Sequence, residues 1–458
     1  MQRLYGPRAG DDRRGFANSF RPRWFPAEKQ LSLRVNRIEG AVVLTAAIVM
    51  TGLLILVSWG RMAWWSLRIA SWYPLAPVPD DVAARNWPRA AVLLPLRGSD
   101  PLLIDCLRGL CRQDYPDFEV VIVVDHPNDD AWEPVRQAIV EFPQVRIRTM
   151  LLTERLETCS LKSSALIQAV RSLGTDVEFA AVVDADVVAQ PWWLRELVRP
   201  MLDDSSVGAV GGLRWYIPER TNCGSVIRRI WNAAASAQMY ALGIPWGGSL
   251  AYRAELLRDP RLLQRWAETF VEDVSVADLF HASGRRLLLV PRLSMVNTET
   301  ISLASCFRFM RRQIFSVRMY NPAWNQVVFT CLGLVASCVL TAIVNPIVAR
   351  SGITWVPALL ASLLAAMILV TTIPLLYVEY CLHRSEPKER NVRGLSLLQL
   401  PLIPVTIVVY GLAVFSACRM REIDWRGIRY SVGAGGRILR LNDVPFGGAA
   451  SSKSESLV

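Results

Sequence analysis

Four apolar stretches decide most of what this chain can become. Residues 41–60 carry no charge, and at 1.5 Å per residue about twenty residues match a hydrocarbon core of roughly 30 Å. Stretches 326–349, 353–381 and 395–418 follow late in the chain, with Pro346, Pro357, Pro374, Pro401 and Pro404 inside them. Membrane helices tolerate proline where neighbours satisfy the freed carbonyls, so all four read as spans. A mean hydropathy of +0.26 over 458 residues agrees, being too apolar for an ordinary soluble enzyme. The first span lies behind a basic tail (1–40) and lacks a small-residue cleavage site, which makes it a retained anchor (41–73). Trp59, Trp64, Trp65, Trp72 and Tyr73 form its expected aromatic belt.

Between the anchor and the C-terminal membrane cluster (324–418), residues 89–301 have ordinary charge density and a different rhythm. Short β-rich runs at 90–96, 118–125, 145–151, 178–184 and 207–213 alternate with helical patterns, which predicts a parallel, Rossmann-like α/β sheet. Such sheets bind ligands beyond the carboxyl ends of their strands. Pro95-Leu96-Arg97-Gly98 ends the first run, Asp125 the second and Asp184-Ala185-Asp186 the fourth, so three ends converge on one rim. Carboxylates at i and i+2 after a buried strand can both reach a hard divalent cation, which takes one or two carboxylates plus substrate phosphates and water. D-x-D triplets also occur where each acid caps a helix or faces water. The position after an apolar strand favours Mg2+ or Mn2+ at Asp184 and Asp186.

Other chemistries find little support. Nine cysteines are scattered without C-x-x-C spacing and are expected as free thiols. His126, His281 and His383 form no zinc pattern, and no G-x-S-x-G marks a nucleophilic serine. The net charge of +11 comes largely from arginines beside apolar spans, which points to membrane headgroups and away from nucleic acid. Nothing in the sequence sets an oligomeric state. The small-residue tail at 447–458 is expected to be disordered.

Read in order, the blocks "VLLPLRGSDPLLIDCLRGLCRQDYPDFEVVIVVDHPNDDAW", "VVDADV", "VGAVGGLRWY", "WGGSLAYRAELL" and "FVEDVSVADLFHASGRRLLLVP" resemble a family 2 type membrane glycosyltransferase. The resemblance covers about residues 90–312, and "PLRGSD", "DYPDFEV" and "VEDVSVADLF" are most similar to the ceramide glucosyltransferase branch. It implies an α/β GT-A fold with N-terminal and C-terminal transmembrane helices. It also implies inverting transfer of a hexose from a UDP-sugar donor to a lipid acceptor, ceramide-like or another lipid hydroxyl. Carried over by position, Pro95 and Asp125 meet the nucleoside, Lys162 the uridine or diphosphate, and Asp184 with Asp186 the metal-bound diphosphate. Asp273 matches the catalytic base, a role that suits a carboxylate within reach of an attacking hydroxyl; the alternative is a carboxylate at a helix N-terminus facing its dipole. Trp246, Gly247 and Gly248 shape the acceptor side, where paired glycines allow close backbone approach or simply a turn.

The last soluble motif of the family is Gln or Arg, two residues, Arg, Trp. Arg308 and Arg311 match it and share a helix face at i, i+3, so they are the expected diphosphate clamp. Arg312 stands where tryptophan belongs, which removes an aromatic surface from the acceptor side. The segment 302–323 also reads as an amphipathic interface helix on anionic lipid. Past the last span, "REIDWRGIRYSV" in the C-terminal tail (419–458) is similar to a closing motif of bacterial relatives and is placed near the membrane surface.

Nucleotide sugars put the catalytic domain on the cytoplasmic side of an integral membrane protein, the inner membrane in a bacterium. Arg384, Lys388, Arg390 and Arg393 on that side fit the positive-inside rule. The basic N-terminal tail conflicts with it, and four full spans would put the C-terminal tail outside too; a bent or interfacial 395–418 segment removes the second conflict. A processive polysaccharide synthase of the cellulose, chitin or hyaluronan type shares the dyad, base and arginine motif and is the alternative. A non-catalytic membrane transporter or scaffold is the third reading.

Overall fold

A computed structural model describes residues 25–73, 85–385 and 399–444, with side chains from residue 38 onward and those of residues 277, 278, 281 and 385 excepted. Most of the basic N-terminal tail, Lys388, Arg390, Arg393 and the tail 447–458 lie outside the described residues, as does the side chain of His281. Helix α1 (Phe25–Ala70) precedes an alternating series: β1 (Ala90–Leu96), α2 (Leu103–Cys111), β2 (Phe118–Val124), α3 (Trp132–Glu141), β3 (Arg146–Leu151), α4 (Leu161–Arg171), β4 (Phe179–Val183), α5 (Trp193–Asp203) and β5 (Val207–Gly211). Next come β6 (Arg214–Tyr216), α6 (Cys223–Leu242), β7 (Ser249–Arg253), α7 (Ala254–Leu257), α8 (Pro260–Ala267), α9 (Ala277–Ala282), β8 (Arg286–Leu289) and β9 (Met295–Asn297). The chain closes with α10 (Leu303–Tyr320), α11 (Trp324–Arg350), α12 (Trp355–Ser385), α13 (Leu402–Cys418), β10 (Glu422–Trp425), β11 (Ile428–Val432) and β12 (Ile438–Arg440).

All five expected strands form within two residues of their expected bounds; near-continuous apolar runs suit the covered strands β1, β2, β4 and β5, while β3, with Arg146 and Arg148, is a partly exposed edge strand. Alternate residues feed two cores: Ala91, Leu93, Ala180 and Val182 pack with Leu166 and Val170 of α4 on one face. On the other, Val92, Leu94, Ala181 and Val183 pack with Leu107 of α2 and Leu197 of α5. The sheet order is β3-β2-β1-β4-β7-β5-β8. It is not wholly parallel, since β7 runs antiparallel between β4 and β5. Pro95 lies beyond Leu93, where β1 stops pairing with β4, so its missing N–H leaves no rung unmade on that side.

Among the described residues three helices, not four, are long and apolar enough to cross a membrane: Ile38–Ala70, Trp324–Arg350 and Trp355–Arg384. Helix α13 has 17 residues, about 25 Å by helical rise, short of a hydrocarbon core of roughly 30 Å. Its last turn is tied to α10, where Arg318 Nη1 donates to the Ala417 carbonyl at 2.6 Å. The strands that follow it form a separate antiparallel sheet, β10-β11-β12, on the catalytic domain. Residues 422–440 therefore pack against the α/β domain. The aromatic belt is only partly present. Trp64 and Trp72 are exposed, whereas Trp59, Trp65 and Tyr73 are buried against neighbouring elements, with Trp59 Nε1 donating to Ser337 Oγ at 3.0 Å. All nine cysteines are free thiols.

Candidate active site

One cavity gathers the strand ends. Pro95, Asp125, Lys162, Asp184, Asp186, Trp246 and Asp273 all line it. Lys162 reaches the rim because Ser160 caps α4, its hydroxyl accepting the Ser163 N–H at 3.1 Å. From that first turn the Lys162 ammonium lies 2.7 Å from Asp184 Oδ1 and 2.6 Å from Glu272 Oε1. Burial opposes its charge, but the two carboxylates overcome this and hold its pKa above the ordinary lysine range. Asp184 feels the same burial and the same ammonium, and is held below the usual carboxylate range. Burial pushes Asp186 up and Glu272 up to about 7.

Asp186 accepts from Asn297 Nδ2 through Oδ2 at 3.2 Å, and Arg214 stands 3.6 Å from the same oxygen. Its other oxygen, Oδ1, is buried without a hydrogen-bond partner. An orphaned carboxylate oxygen at the rim suits a hard cation that needs few protein ligands. No group of three or more acidic, histidine or cysteine side chains that could hold a metal occurs among the described residues.

Asp273 sits just before a short turn of 3-10 helix, and both of its oxygens are used. Oδ1 accepts the Val274 N–H at 2.6 Å and Oδ2 the Gly247 N–H at 2.8 Å. Burial still raises its pKa. The Gly247 bond ties Asp273 to the 244–248 loop, and a side chain at Gly247 would collide with the Glu272 carboxylate. At Gly248 a Cβ would strike the Trp246 indole and approach Asp184 Oδ2 to 2.7 Å. Both glycines are thus required by close approach, within a turn that the Ser249 N–H closes on the Trp246 carbonyl at 3.3 Å. Trp246 is buried, its ring 5.1 Å from the Arg214 guanidinium.

Two nucleotide-side expectations change. Asp125 is already paired, with Arg97 and with Arg155 at 2.8 Å, so a nucleoside would meet a carboxylate fixed by two guanidinium groups. Arg308 and Arg311 do not line the cavity: Arg308 is exposed and bonded to Ser305 Oγ at 2.9 Å. The cavity face of α10 carries Phe309, Arg312, Gln313 and Ser316. Each residue turns a helix by about 100°, so one step past Arg311 changes the face presented. Burial lowers the Arg312 pKa to about 10, and Arg214 and Arg426 add to the effect by repulsion.

The family model described as glycosyl transferase family 21 matches residues 47–438. The chain belongs to that family. Relatives include a ceramide glucosyltransferase of Gibberella zeae, 27% identical over 146 residues, which are 30% of this chain and 26% of the relative. Ceramide glucosyltransferase 1 of Caenorhabditis elegans is 19% identical over 233 residues, 50% of this chain and 49% of the relative. The chain thus spans at most about half the length of the curated relatives it matches, from 14% to 49%. Among solved structures, the mannosyltransferase PcManGT from Pyrobaculum calidifontis, in complex with GDP-Man and Mn2+, aligns with a TM-score of 0.49 and 22% identity, covering 74% of this chain and 98% of that one.

In this family 21 protein the cavity continues from the rim toward the apolar helices. Met62, Leu334, Thr371, Leu375, Ile403, Ile407 and Tyr410 line its far end. There Arg229 of α6 donates through Nε to Glu379 Oε2 of α12 at 2.7 Å, both side chains almost fully buried. Sequence reading missed this pair because its partners are 150 residues apart. It also missed Arg214 and Arg426. The signal for Arg214 was its place just after the Gly211-Gly212 strand end.

Proposed function

We propose that this protein transfers a hexose from a UDP-sugar to a hydroxyl of a membrane lipid, ceramide-like in class, with inversion at the anomeric carbon. One observation carries this reading: a single cavity joins the carboxylate rim to an apolar surface made by the membrane-length helices, with Asp273 lining it. The relatives named ceramide glucosyltransferase support the acceptor class. Asp184 and Asp186 would hold Mg2+ or Mn2+, which supplies positive charge to the leaving diphosphate. Asp273 takes the proton of the acceptor hydroxyl as its oxygen bonds to the anomeric carbon and the bond from that carbon to the diphosphate breaks. The Gly247 N–H fixes the orientation of the Asp273 carboxylate, and Lys162 keeps Asp184 ionised beside a charged ligand. The acceptor chain would enter from the bilayer, with the catalytic domain on the cytoplasmic side.

The test is incubation of membranes holding the intact chain with Mn2+ or Mg2+, a panel of radiolabelled UDP-sugars and a total lipid extract, beside Asp273→Asn. A metal-dependent product in the organic phase, absent from the variant, is expected and names the sugar. Label found only in high-mass polymer would replace this reading with the polysaccharide synthase. No transfer to any acceptor would leave the non-catalytic scaffold.

A further inference from the structure

The C-terminal hairpin reaches the donor end of the cavity from more than two hundred residues away in sequence. Strands β10 and β11 are joined by Arg426 and Gly427 alone, at φ +50° and +77°. Positive φ at both positions is the two-residue hairpin turn that normally takes Asn, Asp or Gly first. Arg426 is the only non-glycine residue with positive φ among the described residues. Such a conformation persists where surrounding structure enforces it, and it clusters at ligand sites.

The surroundings enforce it here. Arg97 Nε donates to the Arg426 carbonyl at 3.1 Å, and Arg426 donates back to the Arg97 carbonyl. Behind the turn, the Tyr430 hydroxyl accepts the Leu161 N–H at 3.2 Å, bracing the helix start that carries Lys162. Only Nη1 of the guanidinium is used in the bond to the Arg97 carbonyl; Nη2 stands 3.7 Å from Asp100 Oδ2, beyond hydrogen-bond distance, and the side chain lines the cavity with its neighbour Trp425. Its charge acts on both Asp184 and Asp186.

We infer that this hairpin is a wall of the donor site and that Arg426 binds the diphosphate of the nucleotide, taking the part the sequence assigned to Arg308 and Arg311. The inference rests on the nucleotide-sugar reading above. With Nη1 anchored on the Arg97 carbonyl and Nη2 facing Asp100 at 3.7 Å, the guanidinium is held in place at the cavity and can exchange Asp100 for phosphate oxygens, which accept charge-assisted bonds from a guanidinium. Trp425 sets an indole in the same cavity, 5.8 Å from the Arg312 guanidinium. The aromatic surface missing at position 312 is thereby supplied by another segment.

The test is calorimetric titration of the full-length protein, in nanodiscs, with UDP and Mn2+. Arg426→Asn and Arg426→Gly suit the turn, so both should keep or raise the thermal midpoint while UDP affinity falls about tenfold or more, as loss of a charge-assisted bond predicts. Arg426→Lys should recover part of that loss. Arg429→Ala, exposed on the same hairpin, should change neither quantity. UDP affinity unchanged in folded Arg426→Asn and Arg426→Gly would overturn the inference and leave the donor reading standing. A wild-type protein that binds no UDP would overturn the donor reading itself.

Discussion

At the rim of the sheet, Lys162, Arg214, Arg312 and Arg426 crowd around Asp100, Asp184, Asp186, Glu272 and Asp273, whereas at the far end of the same cavity Arg229 faces Glu379. The rim draws its charges from segments spread over the whole chain, and several contacts there are long: 3.6 Å from Arg214 to Asp186 and 3.7 Å from Arg426 to Asp100. Such groups can change partners when a charged ligand arrives. The far pair is bonded at 2.7 Å and almost sealed from solvent. Its charges balance each other, and it holds α6 to α12, with Trp215 Nε1 also donating to Glu379 Oε2 at 3.4 Å. Charge spread over loose pairs serves binding, and charge closed in one tight pair serves architecture.

This contrast can be broken in several ways. The largest effect belongs to the proposed base: Asp273→Asn should lower the turnover number by about 10²- to 10⁴-fold, the usual worth of general base catalysis, with UDP affinity kept. Loss of UDP binding instead would make Asp273 a structural residue. At the far end, Glu379→Leu alone should destabilise by about 3–5 kcal/mol, because it strands a buried guanidinium, and Arg229→Met with Glu379→Leu should recover much of that. Thermal midpoints of the single and double variants decide it. A double variant no better than the single would show that the pair is not a closed unit.

The rim can also be separated from the core by pH. Asp273 must be ionised to accept a proton and its pKa is raised, so the acid limb of kcat/KM should lie above the ordinary aspartate range. Glu272 behaves oppositely for stability. Its folded pKa, about 7, exceeds its ordinary 4.5, so its stabilising contribution is complete at lower pH and is lost as pH rises through about 7. Midpoints measured across that window should fall with rising pH less steeply in Glu272→Gln than in the wild type. The smallest effect should be at the outer face of α10. Arg308→Ala should leave UDP affinity within about twofold, as exposed substitutions usually do, while Arg312→Ala weakens it. Equal losses would restore the clamp read from the motif.

The strand ends were legible because they depend on local pattern. Apolar runs marked the buried strands, and Asp125, Asp184 and Asp186 lie where those runs stop. What escaped depended on distance or phase. Ser249–Arg253 lacks the continuous apolar run that marked β4, which has the same length, and its partners on β4 and β5 decide its direction. The i, i+3 spacing showed that Arg308 and Arg311 share a face of α10 but not which face is turned inward. The short α13 looked like a span because its flanking apolar residues count toward hydropathy before the helix begins. Arg426 was inside a recognised motif, yet only a contact across more than 300 residues, from Arg97, reveals what the motif touches.

Strand β7 begins where the 244–248 loop ends, with Ser249 opposite Val183, the last residue of β4 before the carboxylate pair. The spacing between loop and dyad is therefore set by ladder geometry, with strands about 4.8 Å apart. For anyone redesigning this loop, residues 244–253 forbid insertion or deletion, and Gly247 and Gly248 forbid a side chain. A single added residue would slip the register and reverse which side chains face the sheet's two cores.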